Sequence, residues 1–269
     1  MDNRGVGSSN SKIGWFPGHM ASSIRKLETH IKQCDIILYV LDARCPQSCI
    51  NPSFKKFAER KPVLFVLNKV DLAPQVNFNP DNFGGAGYVL LDSTKTNSTQ
   101  KLIPAIRKLV PKPRVHAMVI GVPNCGKSTL INNFTKTAKV KTENRPGVTR
   151  QPQWAEANLS KMSPTSTGVF NLFLLDTPGI LYPNLEDQRV ARNLAFIGSI
   201  KDDILDIVDL ARNLINAIGF EFNLEQFAKK RGHILKGGEL DLERAARTIL
   251  VEFRSGKLGK FNLDLKEEK

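Results

Sequence analysis

No stretch of the 269-residue chain stays apolar over the roughly 18–20 positions that a membrane-spanning helix needs. The opening MDNRGVGSSNSKIG lacks the apolar centre of a secretory signal, and it is too short and too poor in Arg for a transit peptide. These absences predict a soluble, intracellular protein with no membrane partner. Cysteine is also scarce. Of Cys34, Cys45, Cys49 and Cys125, only Cys45 and Cys49 are closely spaced, and no second Cys or His pair completes a tetrahedral metal set, so reduced structural thiols are expected. The most informative shortage is of acidic residues. Between positions 95 and 150 there is one, Glu143, against 12 Lys and Arg, and this block accounts for most of the net charge of +13. Residues 151–228 reverse the balance with 5 basic and 10 acidic residues, and 229–269 turn basic again with 11 against 7. One nucleotide does not call for so lopsided a block. It predicts a polyanionic partner such as nucleic acid, the alternative being a solvated basic face.

What is present is an alternation of apolar runs and helical periodicity. Residues 35–43 (DIILYVLDA), 62–69 (PVLFVLNK), 87–93 (GYVLLDS), 116–122 (HAMVIGV) and 169–177 (VFNLFLLDT) are apolar on consecutive positions, the pattern of parallel strands covered on both faces. Helices are predicted over 21–33, 99–109 and 126–134, so the fold class is α/β with a mostly parallel sheet and helices on both faces. From residue 200 onward the strand-like runs stop. Three amphipathic stretches punctuated by Gly219, Gly232 and Gly237-Gly238 predict a small all-α domain. The expected organisation is an N-terminal segment 1–20, a domain 21–199 and a helical domain 200–269.

GVPNCGKS, residues 121–128, follows an apolar strand and opens a helix, the setting of a P-loop. Backbone N–H groups from Asn124, Cys125, Gly126, Lys127, Ser128 and Thr129 are then available to phosphate oxygens. Lys127 adds a point charge, and the Ser128 hydroxyl is a Mg²⁺ ligand. LLDTPGI, 174–180, supplies the second metal element: Asp176 beside Mg²⁺ and the Gly179 N–H near the γ-phosphate. NRPGVTR, 144–150, lies between them. It reads as a switch with Thr149 as a further Mg²⁺ ligand, or as a plain Pro-Gly turn. NKVD, 68–71, selects the base. Asp71 accepts from N1–H and N2–H of guanine, which adenine cannot offer. Asn68 is suited to N7, and the Lys69 stem to the ring face. LLDSTK, 90–95, offers Asp92, Ser93 and Thr94 for the loop that meets O6. The substrate so defined is GTP. All five elements occur, but the base readers precede the phosphate loop. Such a rotation leaves a site intact when each element ends its own strand in a sheet with the same neighbours.

Together with WFPGHM (15–20) and LDAR (41–44), these motifs and their order resemble the YlqF/RbgA family of circularly permuted GTPases. IGSIKDDIL (197–205) and GKLGK (256–260) carry the resemblance into the helical region. The resemblance implies a circularly permuted P-loop GTPase domain followed by a small all-α domain that contacts ribosomal RNA. It implies a factor, expected to be monomeric, that assists assembly of the large ribosomal subunit, docks on its precursor with GTP bound and leaves with GDP. Its expected location is the bacterial cytoplasm, with the mitochondrial matrix as the alternative. The resemblance further implies that His19 positions the attacking water, since Ile180 stands where Ras-like enzymes have Gln; stabilising the N-terminal segment or meeting RNA are its other roles. It also makes Asn124 a K⁺ ligand. Two other functions remain open: a GTP-gated RNA-binding switch with incidental hydrolysis, and a permuted GTPase acting on the small subunit or another RNA. Within the family pattern, Cys125 replaces Val, and Asp92-Ser93-Thr94 departs from the usual Ser-Ala.

Overall fold

The computed structural model describes residues 27–137, 154–158, 170–181 and 187–264. Six strands form one sheet: β1 (Ile36–Asp42), β2 (Val63–Asn68), β3 (Gly87–Leu90), β4 (Arg114–Ile120), β5 (Trp154–Asn158) and β6 (Asn171–Asp176). Their order across the sheet is β3-β2-β1-β4-β6-β5. All pairs are parallel except β5 with β6, which is antiparallel. Every residue of β1 and β2 is buried, as consecutive apolar positions require when both faces of a strand are covered. Phe65 on β2 packs edge-on against Phe78 and Phe83, whose rings stack on each other 5.6 Å apart.

β1 sits between β2 and β4, so the direction of chain progression reverses beside it. Crevices for ligands open at the carboxyl ends of strands at such a switch point. Read in the order β4-β5-β6-β1-β2-β3, the same sheet would place the phosphate strand first and the base strands last. Chain order differs while strand neighbours do not.

The helices are α1 (Lys55–Ala58), α2 (Thr96–Thr99), α3 (Leu102–Leu109), α4 (Lys127–Thr137), α5 (Gln188–Phe196), α6 (Ile207–Ala217), α7 (Leu224–Lys230) and α8 (Leu242–Arg254). The helix predicted over 99–109 is divided into α2 and α3, and α1, β5 and α5 add three elements to those predicted. Asp187 caps α5 by accepting from the N–H groups of Arg189 and Val190. Asp206 caps α6 in the same way, and Asn223 with Gln226 forms a capping box on α7. α8 buries Ala245, Ala246, Ile249, Leu250 and Phe253 along one stripe, against α6 and α7. α5 packs on α6 and α8, so the helical layer reaches back to Gln188, ahead of residue 200.

Candidate nucleotide site

The loop after β4 bends back between the ends of β1 and β2, and its glycines are fixed by those neighbours. A Cβ on Gly121 would lie 2.3 Å from the Val40 carbonyl oxygen. One on Gly126, where φ is +100°, would lie 2.2 Å from Asn68 Nδ2. At both positions the absence of a side chain lets the loop pack closely on the protein itself. Lys127 opens α4 and is almost wholly buried. Its ammonium is turned inward, donating to the carbonyl oxygens of Gly121 (3.1 Å) and Val122 (2.9 Å). Cys125 is fully buried, and burial pushes its thiol up.

Ser128 Oγ donates to Asp176 Oδ2 across 3.3 Å, joining the start of α4 to the end of β6. The other carboxylate oxygen of Asp176, Oδ1, is buried with no hydrogen-bond partner. Burial raises the Asp176 pKa, and Lys127, Ser128 and the Thr177 N–H offset this only in part. An unpartnered buried carboxylate oxygen next to a hydroxyl is a donor set that suits a hard divalent cation. Gly179 approaches the P-loop so closely that a Cβ would meet Pro123 Cα at 2.7 Å. The following Ile180 is buried and donates its N–H to the Gly121 carbonyl. Its side chain belongs to the core and cannot orient water.

At the end of β2, Asn68 is buried and binds three loops together. Its Nδ2 donates to Ser93 Oγ (3.0 Å) and to the Cys125 carbonyl (2.8 Å), and its Oδ1 accepts from the Ser93 N–H (2.8 Å). Both N–H donors are thus engaged with protein, so the side chain expected at N7 also bolts the base loops to the phosphate loop. Asn133 on α4 donates to the Ser93 carbonyl and extends this junction. Lys69 has φ +61°, a left-handed conformation that turns its side chain along the pocket. Asp71 lies exposed in the 3₁₀ turn Val70–Leu72. Asp92 is buried, which raises its pKa, but hydrogen bonds from Thr94 and Lys95 outweigh that and hold its carboxyl below the usual range.

These residues line one cavity of about 400 Å³: Asn68, Lys69, Asp71, Asp92, Ser93 and Thr94 on the base side, and Asn124, Gly126, Lys127, Ser128 and Thr129 on the phosphate side. Leu72 and Ser255 complete the wall, and sequence reasoning missed both. Ser255 follows α8, about 180 residues after Asp71, and no local motif marks it. A second cavity of about 550 Å³ is lined largely by apolar residues such as Ile37, Phe54 and Phe65, and it contains none of the motif residues. The P-loop also meets the segment after α5: Asn124 Nδ2 donates to the Gly198 carbonyl (2.6 Å), and Ser199 Oγ to the Pro123 carbonyl (2.7 Å). His19 and Thr149 lie outside the described residues.

The model of the family described as 50S ribosome-binding GTPase matches residues 116–236, from β4 into the helical region. With the permuted parallel sheet and the cavity at its switch point, the class of protein is a P-loop GTPase, a GTP hydrolase. Ribosome biogenesis GTPase A of Bacillus licheniformis is 32% identical over 95% of this chain and 99% of its own. The Priestia megaterium protein of that name is 35% identical over 94% and 96%. Mitochondrial ribosome-associated GTPase 1 of Mus musculus is 30% identical over 93% and 89%. Among solved structures, GNP-bound YlqF from T. maritima aligns with a TM-score of 0.61 at 26% identity, covering 88% of this chain and 95% of that one. The chain belongs to the ribosome biogenesis GTPase A family.

Proposed function

We propose that this GTPase acts in assembly of the large ribosomal subunit, docking on the precursor and its rRNA with GTP bound and leaving after hydrolysis. The observation that carries the reading is the single cavity in which the guanine-selecting and phosphate-holding side chains meet. The names of its relatives supply the setting, and the basic blocks at 95–150 and 229–269 suit an RNA surface.

In this reading Asp71 accepts the two guanine N–H groups, Lys69 covers the ring, and the Ser93–Thr94 backbone faces O6. Asn68 holds these loops to the P-loop, and its Nδ2 group is the donor to N7. The backbone of residues 124–129 takes the phosphates, and Lys127 exchanges its two carbonyl partners for phosphate oxygens. Ser128 and Asp176, with Thr149, would hold Mg²⁺, which when bound neutralises charge on the phosphates. Gly179 faces the γ-phosphate. The burial of Ile180 leaves water positioning to another group, for which His19 is the candidate, so intrinsic turnover is slow and is raised by the ribosomal particle. Asn124 is the candidate K⁺ ligand. Residues 21–199 form the GTPase domain and 200–269 the rRNA-contacting domain, after an N-terminal segment 1–20. The protein acts as a monomer in a bacterial cytoplasm.

Single-turnover hydrolysis with and without purified large subunits tests the reading. Stimulation of ten-fold or more by large subunits, absent with small subunits, is expected. Equal rates with and without particles would instead favour a GTP-gated RNA-binding switch.

A further inference from the structure

The LDAR motif at 41–44 has no part in the nucleotide chemistry described so far, yet it holds the most deeply buried charges among the described residues. Asp42 ends β1 and is fully buried. Its Oδ1 accepts from Arg44 Nε (2.9 Å) and the Arg44 N–H (3.1 Å), and its Oδ2 accepts from Arg44 Nη2 (2.8 Å). The same Oδ2 is 3.0 Å from Lys69 Nζ. Lys69 Nζ in turn donates to the Asn124 carbonyl oxygen at 2.6 Å. The ammonium of the base-covering lysine is therefore pinned between a buried carboxylate and the phosphate loop.

Arg44 continues the chain in the other direction. It is buried, its Nη1 donates to the Phe253 carbonyl (3.3 Å), and its guanidinium lies over the Phe253 ring, 4.9 Å from the centroid. Phe253 is in the last turn of α8, two residues before Ser255 in the nucleotide cavity. The segment beyond α8 touches the base loop a second time. A Cβ on Gly256 would meet Leu72 at 2.5 Å, and the Phe261 N–H donates to the Leu72 carbonyl. These contacts reach the base loop and the P-loop, which GDP and GTP use alike. None of them involves Asp176 or Gly179.

We propose that Asp42 is a positioning residue for Lys69 in the guanine site, and that Arg44 links it to Phe253 so that the seating of α8 sets the affinity for GDP and GTP equally. A partner that displaces α8 from Arg44 then promotes nucleotide release whatever the state of the γ-phosphate, and by linkage nucleotide binding holds α8 in place. The proposal rests on the guanine-site roles given to Lys69 and Asp71 above.

Phe253→Leu in the full chain removes the ring from the guanidinium while keeping an apolar side chain. Dissociation of fluorescent GDP and of a fluorescent non-hydrolysable GTP analogue is measured by stopped flow, alongside single-turnover hydrolysis at saturation and a melting curve. The expected result is release about ten-fold faster for both nucleotides, equivalent to about 1.4 kcal/mol, with hydrolysis at saturation within two-fold of wild type. A folded variant with unchanged release, or with faster release of the triphosphate analogue alone, overturns the proposal even if its melting temperature falls. If Phe253→Leu does not fold, Arg44→Lys is judged on the same rates, because it keeps the charge beside Asp42 but loses the planar fork. Asp71→Asn is the control. Unchanged GDP release in that variant means that the guanine-site reading has failed, whereas a normal Asp71 effect with no Phe253 or Arg44 effect sinks only the coupling.

Discussion

Asp176, proposed above as a Mg²⁺ ligand, carries a charge that weighs against the resting fold. Its carboxylate is partly buried, one oxygen has no partner, and its pKa is raised chiefly by burial. A carboxyl whose folded pKa lies above the unfolded one adds stability below the unfolded value near 3.9 and loses it as pH rises through the folded value. At neutral pH its ionisation therefore weighs against the nucleotide-free fold. Asp176→Asn is expected to raise the melting temperature of that form by a few degrees and to abolish Mg²⁺-dependent hydrolysis; calorimetry and a turnover assay check the pair. A lower melting temperature would mean that the carboxylate is better satisfied than its geometry implies. At the same scale, Asp71→Asn should weaken GTP binding by about 100-fold or more and improve binding of xanthosine triphosphate, which carries a carbonyl where guanine carries an amine. Competition titrations with the two nucleotides read this directly.

Among the elements, those that carry chemistry are the ones whose sequence is legible. β1 and β2 are apolar up to their last residues, β4 and β6 are apolar over 117–120 and 172–175, and each ends on a residue of the site or leads directly into one. The sequence order of base before phosphate was enough to anticipate the permuted sheet. β5 escaped notice because WAEAN is short, alternates weakly and forms an edge with Trp154 exposed, so nothing but pairing with β6 makes it a strand. α5 buries Ala191, Leu194, Ala195 and Phe196 together with a polar member, Asn193, whose Nδ2 donates to Ser48 Oγ and to the Leu263 carbonyl. A helix this short is marginal by itself, and tertiary partners decide it. Those partners include Arg254. Its guanidinium donates to the Ala195 and Phe196 carbonyls at the carboxyl end of α5 and forms a forked pair with both oxygens of Asp202. Arg254→Met is expected to cost about 2 kcal/mol, and Lys should not restore it, since a point charge cannot serve four acceptors arranged around a plane. Urea unfolding of the three proteins tests this, with recovery by Lys as the outcome that refutes it.

For the molecule as a whole, charge is unevenly distributed in depth as well as along the chain. Among the described residues most cations are at least partly exposed, while one ion pair with a third member, Arg44, Asp42 and Lys69, sits where strands and C-terminal helices meet. Burial alone would push the Asp42 carboxyl up, but hydrogen bonds and attraction from Arg44, joined by Lys69, hold it at about 2. The sign is opposite to that of Asp176. A depressed carboxyl contributes stability above its unfolded value near 3.9 and loses it as pH falls through about 2. Wild type is therefore expected to lose stability progressively between about pH 4 and 2, and Asp42→Asn, although less stable at pH 7, should show a flatter dependence there. Denaturant titrations at stepped pH compare the slopes; parallel curves would mean that other carboxylates govern acid unfolding.

Because Ser255 lines the cavity proposed for the nucleotide and Phe253 packs against Arg44 beside it, that cavity is closed by a part of the chain that the ribosome synthesises late. Strands β1 to β3 emerge first with Asp42 and Arg44 still uncovered, and the P-loop follows, yet the wall remains open until α8 folds against them. A nascent chain stalled ahead of α8 would thus display every nucleotide motif without a finished pocket, so that a retained nucleotide marks a chain whose synthesis has passed α8.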